Sequence, residues 1–487
     1  MSAPGRPRLL PVEYWIWILI AAHVLGLLSV VRALFETRTS QGAVAWVLSL
    51  LFVPYFAVPS YWFFGRSRFD GYRFLRRQRG RERIDAAAQV KALLNQQDLA
   101  FAPQDLGQAR VARVLERLAR MPFTSGNRVQ LLVDGVETFE AILAAIAKAK
   151  SYLLVEFYIL KDDNLGRRLG DALSERAAAG VRVHVLYDEI GSYWLPSRYP
   201  RALRKRGVAI RAFDTSRGRR LTSRLNFRNH RKLVVVDGVR AFVGGHNVAD
   251  EYLGTGANMP AWRDTHLELS GPAVLGAQVA FAEDWLWSSG ETLELNRSPK
   301  VADDPSGGVL IVPSGPADTL NTATLMMLEI IGSACRRLWI VSPYFAPEPE
   351  LLAALQLAAL RGVDVRILVP ENSDEPLVHL ASFSYLKDLD RAGVKLLRYL
   401  PGYMHQKVVL VDDHFAAVGT ANFDNRSMRL NFEITAWVHD VGFAAQVEAM
   451  LEGDFARARL ASPDDYFERK LPFRLAVRAA RLLSPLL

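Results

Sequence analysis

Cysteine is almost absent: among 487 residues there is one, Cys335. A lone thiol excludes an intramolecular disulfide, and its simplest reading is a small buried hydrophobe. Histidine is sparse too, at nine residues, and these nowhere gather with carboxylates or a thiol at metal-ligand spacing, so no metal site is expected. His23, His184, His246, His266, His379, His414 and His439 read as packing or surface residues. Formal charge is missing from residues 14–31 and again from residues 42–64. Each run approaches the ~20 residues that cross a bilayer. A short polar link, 32–41, joins them, so a two-helix transmembrane hairpin explains both and is preferred to a cleaved signal peptide. Trp15, Trp17, Tyr61 and Trp62 lie near the expected ends, where interfacial aromatics sit, and Pro54 and Pro59 favour a kink in the second helix.

What the chain does have is apolar and basic. Half of it is hydrophobic and its formal charge is +9, which favours membrane contact and anionic partners. Arg66, Arg68, Arg73, Arg76, Arg77, Arg79, Arg81 and Arg83 follow the hairpin with few acids among them. By the positive-inside tendency this segment, and with it both ends of the hairpin, faces the cytoplasm. Each such residue near an anionic leaflet contributes about 1 kcal/mol of attraction. Residues 83–97, without Gly or Pro, and residues 109–120 have helical patterns that space the rest of the chain from the membrane.

The chemistry is concentrated in a pattern that occurs twice. His230-Arg231-Lys232 is followed by four apolar residues, then Asp237-Gly238, Gly244-Gly245 and Asn247; His405-Gln406-Lys407 is followed by four apolar residues, then Asp412-Asp413, Gly419-Thr420 and Asn422. On a β-strand His and Lys, two apart, share one face while the apolar residues bury the strand. Asp237 and Asp412 stand at an odd offset from their histidines and face the other way, which makes them structural residues in hairpin turns leading to strands at 240–243 and 415–418. A nucleophilic imidazole is held in one tautomer by a carboxylate on its other nitrogen, so each half should hold a further acid. Asp264 and Glu433, each following its motif closely, are the candidates.

From residue 127 the chain repeats itself. A strand at 153–158, a helix at 166–179 and a strand at 181–187 precede the first motif; a strand at 338–341, a helix at 351–361 and a strand at 363–369 precede the second. Alternating strands and helices predict an α/β protein of two tandem sandwich domains behind the transmembrane hairpin. The expected boundaries are 1–66 for the hairpin, 67–126 for the basic juxtamembrane and helical linker, 127–300 for the first domain and 301–487 for the second. The last of these ends in a basic amphipathic segment, 467–487, suited to a membrane surface or to packing on the body. Glu156, Asp188, Glu189 and Tyr344 fall at strand ends, where α/β clefts form, and read equally as pocket lining or as capping and pairing residues.

The two motifs resemble the paired HKD motifs of the phospholipase D superfamily. The surrounding residues are similar to those of bacterial cardiolipin synthases: Asn226-Phe227-Arg228-Asn229-His230, Gly244-Gly245-His246-Asn247, Val312-Pro313-Ser314-Gly315-Pro316, Pro343-Tyr344-Phe345 and Arg426-Ser427 ahead of Leu430-Asn431-Phe432-Glu433. The resemblance implies phospholipase D-like sandwiches sharing one active site, with one histidine forming a phosphohistidine and the other acting as general acid. It implies a site of His230, Lys232, Asp237, His405, Lys407 and Asp412, with the two aspartates included on the resemblance alone. Asn247 and Asn422 would bind the substrate phosphate, and Asp264 and Glu433 would orient the histidines. Gln406 departs from the family, which has a small residue there, and predicts a narrower pocket mouth.

The function implied is phosphatidyl transfer between two phosphatidylglycerol molecules, giving cardiolipin and glycerol, with no metal or organic cofactor. The partners would be phosphatidylglycerol, other anionic phospholipids and the membrane, not nucleic acid. The setting would be the bacterial inner membrane, crossed twice, with the catalytic domains in the cytoplasm. A hydrolytic phospholipase D is the nearest rival. A nuclease on the same fold suits the net charge but not the hairpin, and an inactive lipid-binding scaffold would be expected to have lost part of one motif.

Overall fold

The computed structural model describes residues 12–37, 40–65, 72, 90, 92–213, 226–254 and 261–484. The arginines at 66–83, most of the helical pattern at 83–97 and the last three residues of the C-terminal segment lie outside the described residues. The chain divides into two compact units, one from residues 1–70 and 215–227, the other from residues 71–214 and 228–487.

In the first unit, helix Val12–Glu36 contains a span, Tyr14–Glu36, long and apolar enough to cross a membrane. The second hydrophobic run is not the single helix expected. It forms helices Ser40–Phe52 and Pro54–Phe64, separated at Val53 (φ −136°, ψ 51°). Pro54 is the cause, because its ring disfavours helical backbone at the residue before it and is accommodated in the first turn of a new helix. At 1.5 Å per residue, helix Ser40–Phe52 extends only about 20 Å, short of a roughly 30 Å hydrocarbon core. Pro59 is tolerated inside the second piece. Trp62 Nε1 donates to Ser29 Oγ at 3.2 Å, and Ala33, Leu50 and Tyr61 are buried between the helices.

The second unit carries two large sheets and two short two-stranded ones. In the first half the strands are β1 (Arg128–Val133), β2 (Tyr152–Phe157), β3 (Arg182–Asp188), β4 (Ala209–Phe213), β5 (Arg228–Asn229), β6 (Leu233–Val236), β7 (Arg240–Gly244), β8 (Trp262–Arg263) and β9 (Thr265–Ser270). In the second half they are β10 (Gly308–Ser314), β11 (Arg337–Val341), β12 (Phe345–Ala346), β13 (Asp364–Pro370), β14 (Lys395–Tyr399), β15 (Tyr403–Met404), β16 (Val408–Val411), β17 (Phe415–Gly419), β18 (Phe423–Asp424), β19 (Asn431–His439) and β20 (Ala458–Leu460). The short sheets pair β12 with β18 and β15 with β8; the first large sheet is ordered β1-β9-β7-β6-β2-β3-β4 and the second β10-β19-β17-β16-β11-β13-β14, extended by β20. In each, three parallel strands are joined by helical crossovers, and the strand after the motif runs antiparallel beside them. The internal repeat is therefore a repeat of topology. Helices Asn164–Ala178 and Pro349–Leu360 supply the first crossovers, within two residues of the expected positions.

The two halves do not keep separate cores. Leu154, Val235, Val243 and Leu267 of the first sheet and Ile311, Val341, Leu410 and Ile434 of the second belong to one central cluster, with helices Val274–Ser289 and Val441–Phe455 contributing Phe281, Trp285, Val447 and Leu451. Each such side chain, fully buried, contributes roughly 1.5–3 kcal/mol relative to exposure. This shared core, with one outer core for each half, holds the sheets together. Helix Leu471–Leu483 at the C-terminus packs on the body, burying Val477 and Ala480 and setting Phe473 against Phe383 at 5.3 Å, while Leu471, Leu475 and Leu482 stay exposed. Cys335 is exposed, not buried as expected, because it lies in the turn entering β11, with its amide given to Asp412.

Candidate active site

Each motif strand is prepared by two residues of parallel pairing with the opposite half. β5, just ahead of His230, pairs with the start of β19 (Asn431↔Arg228, Phe432↔Asn229), and the His230 amide donates to Phe432 O at 2.9 Å. β15, just ahead of His405, pairs with β8 (Tyr403↔Trp262, Met404↔Arg263), and the His405 amide donates to Arg263 O at 2.8 Å. The residues following those partner segments are the two acids. Each histidine therefore meets the acid of the other half: His230 Nδ1 lies 3.0 Å from Glu433 Oε2, and His405 Nδ1 lies 2.7 Å from Asp264 Oδ2. A carboxylate accepts and does not donate, so each pairing puts the ring proton on Nδ1 and leaves Nε2 as the reactive nitrogen.

The glycines and the threonine of the motif tails now have physical reasons. A Cβ on Gly245 would lie 2.0 Å from Asp264 Oδ1, so only glycine lets that carboxylate pass toward His405. The second motif has Thr420 at the matching place, and its hydroxyl donates to Glu433 Oε2 at 2.6 Å. Asp264 is also held by the Thr265 amide at 2.8 Å.

Both lysines share the face of their histidines and are buried with them. Lys232 Nζ donates to His230 O at 2.7 Å, and Lys407 Nζ lies 2.9 Å from His405 Nδ1. Burial, reinforced by Lys407, pushes Lys232 well below the ordinary lysine range; burial also pulls Lys407 down to about 8, against the attraction of Asp264 and Glu433. Burial lowers His230 to about 4, opposed by Glu433, and burial with Lys407 and Lys232 holds His405 well below its usual value. Burial alone would raise Glu433, but His230 and Lys232 outweigh it and keep the carboxylate ionised. The site thus gathers two imidazoles and two lysines, all with lowered pKa values, beside the ionised Glu433 and the side chain of Asp264.

The remaining expected site residues divide. The side-chain amide of Asn422 is bonded to none of the described residues, and its buried Oδ1 has no partner among them. Asn247 is spent inside the protein: its Oδ1 accepts from the Ile159 amide at 3.0 Å and its Nδ2 donates to the Tyr252 hydroxyl at 2.5 Å. It supports Tyr252, whose ring packs edge-on against His405 at 5.7 Å, and gives it one of its two Nδ2 hydrogens.

Asp237 and Asp412 do not join the imidazoles. Asp237 accepts the amides of Lys150, Ser151 and Tyr152 at 2.7–2.9 Å, and Asp412 those of Cys335, Arg336 and Arg337 at 2.7–3.1 Å. Each sits in a hairpin turn with positive φ (53° and 49°) and caps the entry of β2 or β11. Strand alternation and the turn thus aim both side chains at the entry of the neighbouring strand, away from the histidines, as the spacing predicts. Gln406 likewise does not narrow the mouth. It is fully buried on the reverse face, accepting from Thr265 Oγ1 and donating to Asp454 Oδ2, both at 2.8 Å.

Several supporting residues carry no motif. Arg231, the counterpart of Gln406, is paired with Asp284 at 2.5 Å, and Arg263 makes a two-pronged pair with Asp454 at 2.9 Å. Asp284 and Asp454 are buried acids on the two central helices, and their signal was an acid on a largely apolar helix face. Asp284 also accepts from Tyr72 and Asn229, and Asn229 donates to Glu156 Oε1 at 2.7 Å. Asp188 caps the turn after β3 and takes the Asn229 amide at 2.7 Å, while Glu189 is exposed. Glu156 and Asp188 are thus positioning groups for the strand that leads to His230. The rings of Tyr158, 4.9 Å from His230, and Trp262, 5.5 Å from His405, complete the walls.

Two like half-sites, each ending in a His-x-Lys strand and exchanging acids, define a phospholipase D-like centre. A family model described as "Cardiolipin synthase, PLD-like domain" matches residues 142–261 and 327–455. The chain is 48% identical to cardiolipin synthase A of Pseudomonas aeruginosa over the whole length of both, and 47% identical to that of Pseudomonas entomophila over 96% of this chain and 97% of the relative. Among solved structures, phosphatidylserine synthase of Haemophilus influenzae superposes with a TM-score of 0.60, covering 78% of this chain and all of its own, at 16% identity, a likeness of fold. The chain belongs to the cardiolipin synthase family of phospholipase D-like enzymes.

Proposed function

We propose that the protein is a membrane phosphatidyltransferase that converts two phosphatidylglycerol molecules into cardiolipin and glycerol. The observation that carries this reading is the crosswise bracing of His230 by Glu433 and His405 by Asp264, which leaves the Nε2 of each imidazole for the chemistry. His230 Nε2 attacks phosphorus, the P–O bond to glycerol breaks, and His405 gives that oxygen its proton. Burial and the two lysines hold the His405 pKa well below its usual value; the negative phosphodiester offsets those cations and favours its protonation. Lys232, Lys407 and Asn422 hold the nonbridging oxygens, and charge developing there is met by groups already in place. In the second step His405 takes the proton of the incoming hydroxyl, whose oxygen displaces His230 from phosphorus.

We place helix Val12–Glu36, which is long and apolar enough to cross a membrane, in the bilayer where both lipid substrates reside. We place helices Ser40–Phe52 and Pro54–Phe64 in the membrane with it, as a broken return segment, and the catalytic unit in the cytoplasm, on the arginines at 66–83. We also retain residues 127–300 and 301–487 as the two halves of the repeat.

Incubation of the His405→Ala variant with a labelled phosphatidyl ester whose leaving group needs no proton, such as p-nitrophenol, followed by quenching and peptide mapping, tests the assignment. Label at His230 is expected; label at another residue, or none in any variant while the wild type turns over, would overturn it.

A further inference from the structure

The two ends of the cleft are not equivalent, although the fold repeats. Two residues before His230 stands Arg228, which hydrogen-bonds to the Tyr158 phenol. Two residues before His405, on the same strand face, stands Tyr403. Its hydroxyl donates to Asp374 Oδ1, and Tyr344, just beyond the end of β11, donates to the same oxygen at 2.8 Å. The two phenols are 3.5 Å apart, and the Tyr403 ring is 5.9 Å from the His405 imidazole. Asp374 itself lies on the exposed loop after β13, where the C-terminal ends of parallel strands open a crevice.

Two hydroxyls spent on one carboxylate oxygen leave the other oxygen unengaged: no described residue donates to Asp374 Oδ2. Burial pushes both phenols well above their usual pKa, so they remain donors and hold the carboxylate in place. The indole N–H of Trp262, whose ring packs on Tyr403 at 4.8 Å and on His405 at 5.5 Å, is buried without an acceptor among the described residues. This wall thus holds one unspent acceptor and one unspent donor. A carboxylate there repels a phosphate and accepts hydrogen bonds from a neutral polyol, whereas the arginine side favours the anion.

Resting on the transferase reading above, we propose that Asp374, braced by Tyr344 and Tyr403, recognises the headgroup alcohol: its Oδ2 accepts hydrogen bonds from the glycerol hydroxyls that do not react at phosphorus. The reacting oxygen then sits at His405 Nε2 and the phosphatidyl group toward His230 and the arginine side. In the transfer step the O–P bond forms, the P–Nε2 bond to His230 breaks, and the hydroxyl proton goes to His405. A site that binds a hydroxyl through an otherwise unpaired acceptor discriminates strongly against analogues that lack it.

The test uses full-length enzyme in detergent–lipid micelles with cardiolipin as donor and a mixture of glycerol and 1-propanol as competing acceptors. The ratio of phosphatidylglycerol to phosphatidylpropanol is read for wild type, Asp374→Asn and Tyr344→Phe. Both alcohols compete in one sample, so loss of folded enzyme cancels. Wild type should prefer glycerol, and Asp374→Asn should lower the ratio by about tenfold or more, with Tyr344→Phe between them. Wild-type transfer with the same ratio in Asp374→Asn would overturn this inference alone. Wild type yielding only phosphatidic acid would overturn the transferase reading and this inference with it.

Discussion

His230 and Glu433 are 203 residues apart in the chain, yet the imidazole Nδ1 of one lies 3.0 Å from the carboxylate of the other. The converse pair, Asp264 and His405, has the same arrangement at 2.7 Å. Neither half is a complete site, because each carries a histidine and the acid that the other half's histidine needs.

The acids should therefore be damaging to replace, each through the histidine across the cleft. Glu433→Gln removes the charge that favours an imidazolium at His230 and is expected to slow phosphoenzyme formation about 100-fold or more. Asp264→Asn should do the same at His405 and slow glycerol departure. A donor whose leaving group needs no proton, such as a p-nitrophenyl ester, separates the two: it should restore phosphoenzyme formation in Asp264→Asn and not in Glu433→Gln, and the reverse pattern would contradict the crosswise assignment.

Loss of either imidazole should abolish turnover. A glycerol alkoxide is a poor leaving group, and nucleophile and acid act as one unit, so His230→Ala and His405→Ala are each expected to fall by at least about 1000-fold. Substantial residual activity in either would rule out a two-histidine site.

The pH profile of kcat/KM should have two limbs. His230 must be neutral to attack, and with its pKa lowered to about 4 activity should fall only as pH drops through that value. The same depression below 6.5 makes the unfolded chain bind more protons in that window, so stability is full above about 6.5 and is lost toward 4. Lys232 and Lys407 must be charged to hold phosphate oxygens and His405 must be protonated to serve glycerol, so the lowered pKa values of all three, about 8 for Lys407, bring the alkaline limb down. Lys407→Arg, which keeps its charge, should move that limb upward if the enzyme retains turnover. An unmoved alkaline limb would assign it to another group.

The aspartates of the motifs should behave as structural residues. Asp237→Ala removes an acceptor from three backbone amides at the entry of β2 and should cost about 1–3 kcal/mol of stability. Activity per folded molecule should stay near wild type. A stable variant with lost turnover would return Asp237 to the chemistry.

A protease-sensitive tag at Leu487 should be protected in intact cells and cleaved in inverted membrane vesicles. The opposite pattern would overturn the proposed orientation.

Much of this was legible in the sequence because it is periodic. The strand faces, both hairpin turns and the outward pointing of Asp237 and Asp412 all follow from alternation. What alternation leaves open is which half an acid serves, since Glu433 reaches His230 only through the β5–β19 pairing, a contact between distant segments. The partners of Asn247 were hidden for a related reason: its motif position said nothing of the Ile159 amide and the Tyr252 hydroxyl that it meets. The kink expected from Pro54 is a full break at Val53, because the proline ring acts on the backbone of the residue before it, which hydropathy does not register. Asp374 had no motif at all, and only the meeting of three loops shows what stands beside His405.

The most direct test of the central claim is lipid analysis after purified enzyme is given phosphatidylglycerol alone. A water-excluding cleft that positions a second lipid hydroxyl should yield cardiolipin and glycerol in equal amounts with little phosphatidic acid. One phosphodiester is exchanged for another, so added glycerol should drive cardiolipin back to phosphatidylglycerol. Phosphatidic acid as the main product, with no effect of glycerol, would make the enzyme a hydrolase and contradict the account.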